Sequence, residues 1–356
     1  MRVAFFGVSH WHAPLYYRPA AALEHVEIIG VSDADSAVAE RVGSELGVPA
    51  SVEPERLLAR RPDFAFAFGP HADMPALGRL LVDADVPFVI EKPAGLNAHD
   101  VEALRDLANA RRLHVGTGFN FRVADWFQRL RELTAEQPAT VARFAFISGP
   151  PARYRQLGCA WMLDPARSGG GCTINLAPHL IDLFRVFTAS EPDVHAALMS
   201  NTSWSEAVED YSVITLRSER AAGLVETGYG FPGELGRFDQ LFSLRTTSAY
   251  VVVRSDDVIE ITDANTFRVE VLHTPTGNFR WYPAFVAESI DRFQRGLPPV
   301  AGLDDLLAAM RVIDAAYVAR GWRVPSGGSE AKPTSVDHGD AVAGSTKVGS
   351  PAIHPD

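Results

Sequence analysis

The segment Arg2-Val3-Ala4-Phe5-Phe6-Gly7-Val8-Ser9-His10-Trp11-His12 decides the fold of this chain. Its first part is an apolar run of strand length that ends in a turn containing Gly7. Similar runs follow, separated by amphipathic segments of helical periodicity, and this alternation predicts a parallel sheet covered by helices, a doubly wound α/β domain. The predicted strands are residues 2–8, 26–33, 63–69, 88–91 and 114–118, and the predicted helices are residues 34–46, 72–84 and 98–111, the last capped by Asn97.

The pattern changes after residue 120. Short strands then follow one another with few helices between them, which predicts an α+β domain built on a large, mainly antiparallel open sheet. Its predicted strands are residues 141–147, 213–217, 223–229, 241–245 and 250–254, and its helices are residues 122–133, 174–187, 284–295 and 303–319. Residues 326–356 contain few large apolar side chains and are expected to be disordered. The predicted domains are therefore 1–120 and 121–325, followed by this tail.

Composition excludes several classes of function. The chain has 356 residues, is 47% hydrophobic and carries a net charge of −11, so a nucleic-acid partner is not expected and a small neutral ligand fits better. It has no apolar run long enough to span a membrane and no signal-peptide pattern, which predicts a cytoplasmic protein without a membrane partner. Cys159 and Cys172 are expected to be buried, inert thiols, and no metal site is predicted.

Parallel strands place their carboxyl ends at one edge, so Gly7, Asp33, Gly69 and Lys92 should converge on one crevice. Of the three glycines of a dinucleotide-binding turn only Gly7 is present, with Ser9 and His12 at the other two positions. A metal pair formed by His10 and His12, or a plain surface loop, remains an alternative for this turn.

Asp33 ends the second predicted strand, where an acid accepts hydrogen bonds from an adenosine ribose. Its charge would repel the 2′-phosphate of NADP, and no basic residue follows before Arg41, so NAD is the expected cofactor. The alternative is that Asp33 only caps the following helix.

Lysine is scarce in this chain. Among 33 basic residues there are three lysines, and two of these, Lys332 and Lys347, lie in the predicted tail. Arginine replaces lysine on a surface but cannot exchange a proton at accessible pH, so the retention of Lys92 points to chemistry at that position. A second candidate group is Asn175, His179 and Asp182, whose i, i+4 and i+7 spacing places them on one helical face.

The triplet Glu91-Lys92-Pro93 resembles a mark of the Gfo/Idh/MocA oxidoreductases, the family of glucose-fructose oxidoreductase and inositol dehydrogenase. The resemblance extends to about Pro325 and includes Gly69-Pro70-His71, Asn120-Phe121-Arg122 and the glycines at 169–171. It implies an amino-terminal Rossmann domain that binds NAD, a substrate on the open face of the second sheet, and Lys92 beside the reacting carbon. His179 matches the catalytic histidine of the family. Two positions depart from the pattern: Asn175 stands where the family has aspartate, and Met74 where it has histidine.

The resemblance and the strand ends together give a set of site predictions. The catalytic residues are expected to be Lys92, His179 and Asn175, with Asn175 orienting His179 or binding a hydroxyl. The expected cofactor contacts are Gly7, Ser9, His10, Trp11, Asp33, Gly69, Pro70, His71, Glu91, Lys92 and Asn120. The expected substrate contacts are Lys92, Arg122, Tyr154, Trp161, Asn175, His179 and Asp182, and further aromatic candidates are Tyr211, Tyr229, Trp281 and Tyr282.

These features predict an NAD-dependent dehydrogenase or reductase acting on CH–OH groups of a sugar, polyol or sugar-containing small molecule. Two alternatives stay open. A transient ketone could drive elimination or glycoside cleavage without net redox change, or the protein could bind dinucleotide as a non-catalytic regulator. The open sheet is expected to form a homodimer or homotetramer.

Overall fold

The computed structural model describes residues 1–233 and 237–321, all within one compact unit, Met1–Pro325. The predicted disordered tail, residues 326–356, lies outside the described residues. The domain boundary at residue 120 stays a prediction. Two β-sheets organise the described part of the chain, with six and eight strands.

The first sheet is wholly parallel, and its strand order is β3-β2-β1-β4-β5-β6. This is the order of a dinucleotide-binding doubly wound fold, as predicted. The central strand carries Val3, Ala4 and Phe5, all fully buried, because helices cover both faces. The strands are β1 (Arg2–Phe6), β2 (Glu27–Ser32), β3 (Ala50–Ser51), β4 (Phe64–Ala67), β5 (Phe88–Ile90) and β6 (Val115–Thr117).

Helices α1 to α5 connect these strands. Asn97 caps α5 as predicted, accepting a hydrogen bond from the Asp100 amide. The sequence did not predict α1, because Pro14 and Pro19 interrupt its helical pattern, although Pro14 occupies the first turn, where proline is tolerated. The helices are α1 (Ala13–Ala21), α2 (Ser36–Leu46), α3 (Pro54–Leu58), α4 (Met74–Asp83) and α5 (Ala98–Ala110).

The second sheet has the order β14-β13-β12-β11-β7-β10-β9-β8. Only its β7–β10 pair is parallel, which agrees with the predicted, mainly antiparallel sheet. Strands β8, β13 and β14 were not predicted. The strands are β7 (Val141–Ser148), β8 (Asp193–Ser200), β9 (Tyr211–Arg217), β10 (Ala222–Gly228), β11 (Phe238–Arg245), β12 (Ala249–Arg254), β13 (Val258–Asp263) and β14 (Val269–His273).

One face of this sheet is covered by α9, which links the two sheets through a continuous apolar cluster. The cluster runs from Phe144 of β7 through Ile181 of α9 and Ile313 of α11 to Leu104 of α5. A polar side chain on α9 is therefore buried, which places Asn175 and His179 inside the molecule. The remaining helices are α6 (Asp125–Glu136), α7 (Ala152–Gln156), α8 (Pro165–Ser168), α9 (Cys172–Thr188), α10 (Tyr282–Gln294) and α11 (Leu303–Arg320).

Candidate active site

A groove of about 420 Å³ runs along the carboxyl ends of β1, β2 and β4. Five of the predicted cofactor contacts line it: Gly7, Ser9, Asp33, Gly69 and Pro70. They meet here because parallel strands end at the same edge of the sheet. The structure thus brings together five of the eleven residues expected to contact a dinucleotide, whereas Lys92, expected in the same crevice, lies in the adjacent cavity.

The turn after β1 is closely packed against the neighbouring strand. Gly7 has a φ of 76°, and a Cβ atom there would lie 2.0 Å from the carbonyl oxygen of Phe68, so only glycine fits. The Ser9 amide donates to the Asp33 carboxylate at 2.6 Å, and the Asp35 amide donates to it at 2.9 Å. The cap of α2 is Asp35, so Asp33 is not held in place by capping the helix. A buried carboxylate at the end of β2 and a tight glycine turn fit the ribose and phosphates of NAD.

One residue of this groove was missed by sequence reasoning. Arg167 lines the groove and pairs with Asp73 at 2.6 Å. It comes from α8, which the sequence did not predict, and no motif marks it. A basic side chain, paired with Asp73, therefore also stands on the groove wall.

Glu91 lies beneath the catalytic candidates and lines neither the groove nor the adjacent cavity. Its carboxylate accepts from His12 Nδ1 at 2.7 Å, from the Tyr16 hydroxyl at 3.0 Å and from the Lys92 amide at 2.7 Å. Burial alone raises the pKa of the Glu91 carboxyl, but His12 and Lys92 outweigh it and the net shift is downward. Glu91 is thus a buried carboxylate that positions its neighbours, and its expected contact with the cofactor stays a prediction.

Lys92 extends from the end of β5 to α9. Its Nζ atom donates to the carbonyl oxygen of Asn175 at 2.6 Å and to Asn175 Oδ1 at 3.0 Å. Burial lowers the pKa of the Lys92 amine below its usual value, and the Glu91 charge opposes this shift. The amine is therefore easier to deprotonate than an exposed lysine.

His179 stands one helical turn beyond Asn175. Its ring packs against Phe119 and Phe121, each with a centroid separation of 5.6 Å. Burial, reinforced by the Lys92 charge, lowers the pKa of His179 to about 3, so the imidazole is neutral at ordinary pH. Its Nδ1 atom is buried without a hydrogen-bond partner among the described residues, so Nε2 is the ring nitrogen left to face the cavity.

Asn175 does not contact the imidazole through a hydrogen bond, contrary to the expectation that it would orient His179. Its Nδ2 atom donates to the hydroxyls of Tyr154 and Tyr229 at 2.7 and 3.1 Å. Because Oδ1 accepts a hydrogen bond from Lys92, both the oxygen and the nitrogen of the Asn175 side-chain amide have partners. Residue 175 therefore positions the lysine.

A second cavity lies beside the groove, and the turn after β1 lines both spaces. Gly7 and Ser9 face the groove, whereas Trp11 and His12 face the cavity. The cavity reaches the end of β7. The side chains of Phe146 and Ser148, two residues apart on this strand, lie on the same face, the one that α9 covers. The cavity thus lies on the covered face of the sheet, whereas the resemblance implied a substrate on the open face. The lining residues are Trp11, His12, Lys92, Phe121, Phe146, Ser148, Arg153, Asn175, Leu176, His179, Leu180, Arg237, Phe238, Asn278 and Phe279.

Two of the predicted substrate contacts lie elsewhere. Arg122 donates to the Asp182 carboxylate at 2.6 and 2.9 Å and also pairs with Asp305. Asp182 lies seven residues after Asn175 on α9, beyond the end of the cavity and near α11. This charged cluster joins helices and does not line the cavity, so the structure does not place Arg122 and Asp182 beside Lys92 and His179.

The aromatic candidates also lie outside the cavity lining. Tyr154 is fully buried, and its hydroxyl accepts from Asn175. Trp161 packs edge-on against His71 at 5.0 Å. None of Tyr154, Trp161, Tyr211, Tyr229, Trp281 and Tyr282 lines the cavity. The aromatic lining comes instead from Trp11, which was expected as a cofactor contact, and from four phenylalanines, of which Phe121 lies in the Asn120-Phe121-Arg122 motif.

The remaining predicted contacts are buried around the turn. His10 stacks on Phe68 at 6.0 Å, and His71 Nδ1 lies 2.6 Å from the carbonyl oxygen of Ser168. Asn120 donates to the carbonyl oxygen of Asn278 at 2.9 Å. At the other position that departs from the family pattern, Met74 packs in the apolar core and offers no polar group.

Unpaired polar atoms gather near the cavity. Among the described residues, Asn120 Oδ1, Asn278 Oδ1, Arg153 Nε and His179 Nδ1 are buried without a partner. Burying such atoms is unfavourable unless a ligand or water pairs with them. The arrangement suits a ligand that carries several hydrogen-bonding groups.

Two further properties concern only the part of the chain that the structure describes. Within residues 1–233 and 237–321, no helix is long and apolar enough to cross a bilayer. In the same ranges, no group of three His, Cys, Asp or Glu residues is placed to hold a metal ion. Both cysteines are buried, and burial raises the pKa of the Cys159 thiol to about 11.

Comparison with known proteins identifies one sequence relative and several solved structures with a similar fold. The rhizopine catabolism protein MocA of Rhizobium meliloti is 25% identical over 242 residues, covering 65% of this chain and 67% of the relative. The structure of GenD2 from gentamicin A biosynthesis in complex with NAD has a TM-score of 0.76 and 21% identity, covering 90% of this chain and 94% of GenD2. Levoglucosan dehydrogenase in complex with NADH and levoglucosan has a TM-score of 0.80 and 14% identity, with coverages of 90% and 97%.

Two family matches together span more than half of the sequence. Residues 1–119 match the oxidoreductase family with an NAD-binding Rossmann fold, and residues 140–250 match the GFO/IDH/MocA C-terminal domain. The first match covers the groove, and the second covers most of the sheet that closes the cavity. The chain therefore belongs to the Gfo/Idh/MocA family of oxidoreductases.

Proposed function

We propose that this protein is an NAD-dependent dehydrogenase that moves a hydride between the nicotinamide and a carbinol carbon of a polyhydroxylated small molecule. The observation that carries the proposal is the position of Lys92 and His179, which line one cavity separated from the dinucleotide groove by a single turn. When bound, NAD takes up the hydride that the carbinol carbon loses and becomes NADH.

Lys92 is the group we assign to the substrate hydroxyl. Its lowered pKa lets the amine take the hydroxyl proton while the carbon loses its hydride, which leaves a ketone. In the reverse direction the ammonium returns the proton and stabilises the developing negative charge. The hydrogen bonds that Nζ donates to Asn175 hold the amine in place, and Glu91 stabilises the charged form from behind.

His179 has a different part in this scheme. An imidazole with a pKa of about 3 is too weak a base to hold the proton of an alcohol. We therefore assign it a neutral hydrogen bond from Nε2 to the substrate, which fixes the orientation of the carbinol carbon. This revises the expectation that His179 itself exchanges the proton.

The relatives support a sugar-like substrate. Levoglucosan dehydrogenase was crystallised with levoglucosan, and another solved structure of this fold is a UDP-N-acetylglucosamine 3-dehydrogenase from Acidithiobacillus ferrooxidans, with 19% identity and a TM-score of 0.76 over 91% of this chain and 99% of that one. The unpaired polar atoms near the cavity favour the same class, because hydroxyl groups both donate and accept hydrogen bonds.

The test is NADH formation, followed by absorbance, with NAD and a panel of sugars, cyclitols and sugar acids. Steady NADH production that Lys92→Ala abolishes supports the proposal. A product that forms without accumulation of NADH would instead support redox-neutral elimination or cleavage. Tight NAD binding without turnover of any substrate would support a regulator.

We also propose that the uncovered face of the second sheet forms a homodimer. This face exposes apolar side chains that a soluble monomer would leave in water, among them Leu198, Tyr250 and Val271. Light scattering coupled to size exclusion should give at least twice the chain mass of 38.7 kDa. A monomeric mass at micromolar concentration would contradict this assembly.

A further inference from the structure

The charge of the cavity is opposite to that of the protein. The net charge of the chain is −11, yet the described cavity lining contains Lys92, Arg153 and Arg237 and no aspartate or glutamate. Glu91 compensates Lys92 from behind the wall. Within the described residues, neither arginine forms a salt bridge. The substrate cavity is therefore locally basic.

Arg153 is held in a fixed position. Its guanidinium lies over the rings of Tyr154 and Tyr229, at 4.8 and 5.5 Å from their centroids. Nη2 donates to Ser148 Oγ and to the Tyr154 hydroxyl, both at 2.8 Å. Among the described residues no acceptor receives the protons of Nη1, and Nε is buried without a partner. The side chain is thus rigid but retains unused donors.

Such a guanidinium is costly to keep in an apolar surrounding without a negative charge beside it. Phe146, Phe238 and Leu176 line the same cavity and make its wall largely apolar. A planar guanidinium is also the side chain that best matches a carboxylate or a phosphate, and immobilising it in advance reduces the entropy lost on binding. A ligand that brings its own negative charge would remove this cost.

We propose that the substrate carries an acidic group, a carboxylate or a phosphate, and that Arg153 binds it while Arg237 attracts it at the rim. This inference rests on the dehydrogenase function proposed above and narrows its substrate to sugar acids, cyclitol acids and sugar monophosphates. The sequence-based expectation of a neutral ligand followed from net charge, which does not report the charge inside a cavity.

The position of Arg153 relative to Lys92 limits the size of the substrate. The Tyr154 hydroxyl accepts from both Arg153 Nη2 and Asn175 Nδ2, and Asn175 in turn accepts from Lys92. Three hydrogen bonds thus connect the residue assigned to the acidic group with the residue assigned to the reacting carbinol. Both groups then belong to one unit of monosaccharide size.

The test compares matched substrates that differ only in charge. Hexuronates and hexose 6-phosphates are assayed beside the corresponding neutral hexoses, each with NAD. The acidic member of a pair should have a kcat/KM at least about 10-fold higher, the range for one charge-assisted hydrogen bond. The carboxylate and phosphate arms then identify which acidic group the cavity accepts.

Variants locate the effect. Arg153→Gln should lower kcat/KM for the acidic substrate by about 10- to 100-fold, mainly through KM, and should lower that of the neutral partner less, so that the preference for the acidic substrate is lost. Arg153→Lys keeps the positive charge but loses the two parallel donors of the guanidinium. Its kcat/KM for the acidic substrate should fall between those of the wild type and Arg153→Gln. Arg155→Gln is the matched control, because Arg155 lies on the same helix, is exposed and pairs with Glu206 outside the cavity.

Equilibrium binding keeps the inference testable if turnover is absent. Gluconate and glucose are titrated into the complex with NADH by calorimetry. Preferential binding of gluconate that Arg153→Gln removes and Arg155→Gln preserves would support the acidic substrate even if dehydrogenation fails. Turnover or binding of neutral sugars in preference to acids, with no dependence on Arg153, would overturn the inference and leave the dehydrogenase intact.

Discussion

Lys92 Nζ is held by both oxygens of Asn175, at 2.6 Å from the backbone carbonyl and 3.0 Å from the side-chain amide. The side chain at the position where the family usually has aspartate therefore hydrogen-bonds to the lysine and not to the histidine. A neutral amide at this position adds no negative charge to stabilise the ammonium. Burial is then free to lower the pKa of Lys92, with Glu91 as the one opposing carboxylate.

Lys92→Ala should reduce kcat by about 10²- to 10⁴-fold, because the substrate oxygen loses its proton acceptor and electrostatic donor. Lys92→Arg should recover little, since a guanidinium does not release a proton at accessible pH. NAD affinity, measured by fluorescence titration, should stay within about threefold of the wild-type value. Near-normal turnover of Lys92→Ala would overturn the proposed mechanism.

Asn175→Asp should shift the pH dependence of oxidation. A carboxylate beside Nζ raises the pKa of Lys92, and the amine must be deprotonated to accept a proton, so the rising limb of kcat/KM should move to higher pH. The measurement is a pH profile of NADH formation. His179→Asn serves as the comparison, with lower activity and an unmoved limb. A limb that disappears in His179→Asn would assign the proton transfer to the imidazole instead.

Asp33→Asn should weaken the preference for NAD over NADP. The carboxylate lies where it would repel a 2′-phosphate, so removing its charge should raise the Kd of NAD and lower that of NADP, narrowing the ratio by about 10-fold or more. Asp35→Asn is the charge-matched comparison, because asparagine still caps α2 and should produce a smaller change. A wild-type protein that binds NADP more tightly than NAD would contradict this assignment.

Asp182→Asn should affect stability and leave substrate affinity unchanged. It leaves the largely buried Arg122 without its principal partner, which costs about 3 kcal/mol in the free energy of unfolding. Urea unfolding measures this loss, and steady-state kinetics should show an unaltered KM. Removing the partner of the exposed Arg155, by Glu206→Gln, should cost less than about 1 kcal/mol. An increased KM with normal stability would restore Asp182 to the substrate site.

His71 should make the protein sensitive to acid. Burial lowers its pKa from 6.5 to about 3, so the unfolded chain binds a proton that the folded chain does not. Its contribution to stability is full above about pH 6.5 and is lost as the pH falls toward 3, by about 2 kcal/mol between pH 7 and 5. His71→Gln should reduce this loss in urea unfolding, whereas His25→Gln, at an exposed site, should not. An equal loss in both variants would contradict the assignment.

Local patterns predicted most of the architecture. Five of the six strands of the first sheet and the Asn97 cap follow from periodicity and from side-chain chemistry within a few residues, whereas the two-residue strand β3 was not predicted. Helix α1 was missed because its prolines mimic a turn, and β14 was missed because an exposed edge strand lacks the alternating pattern of a half-buried one.

The sequence was enough to predict the main residues of the candidate site, but not which of them contact one another. Lys92 and His179 stand in recognisable motifs, and both line the cavity. The partner of Asn175 could not be read from helical spacing, because the contact to Lys92 bridges two elements that are 83 residues apart. Arg153 lies in no motif and becomes a candidate only when the tyrosines beneath its guanidinium are seen.

Because Lys92 is the one lysine among the described residues, its ionisation can be observed directly. The chain has three lysines, so a protein grown with ¹³C-labelled lysine yields three side-chain signals in a nuclear magnetic resonance spectrum. Replacing Lys332 and Lys347 by arginine removes two of them and leaves a single reporter. Its chemical shift against pH records the protonation of this amine without any substrate and without kinetics. The same signal, followed during titration with NAD, would report how the filled groove changes the proton affinity of the amine beside it.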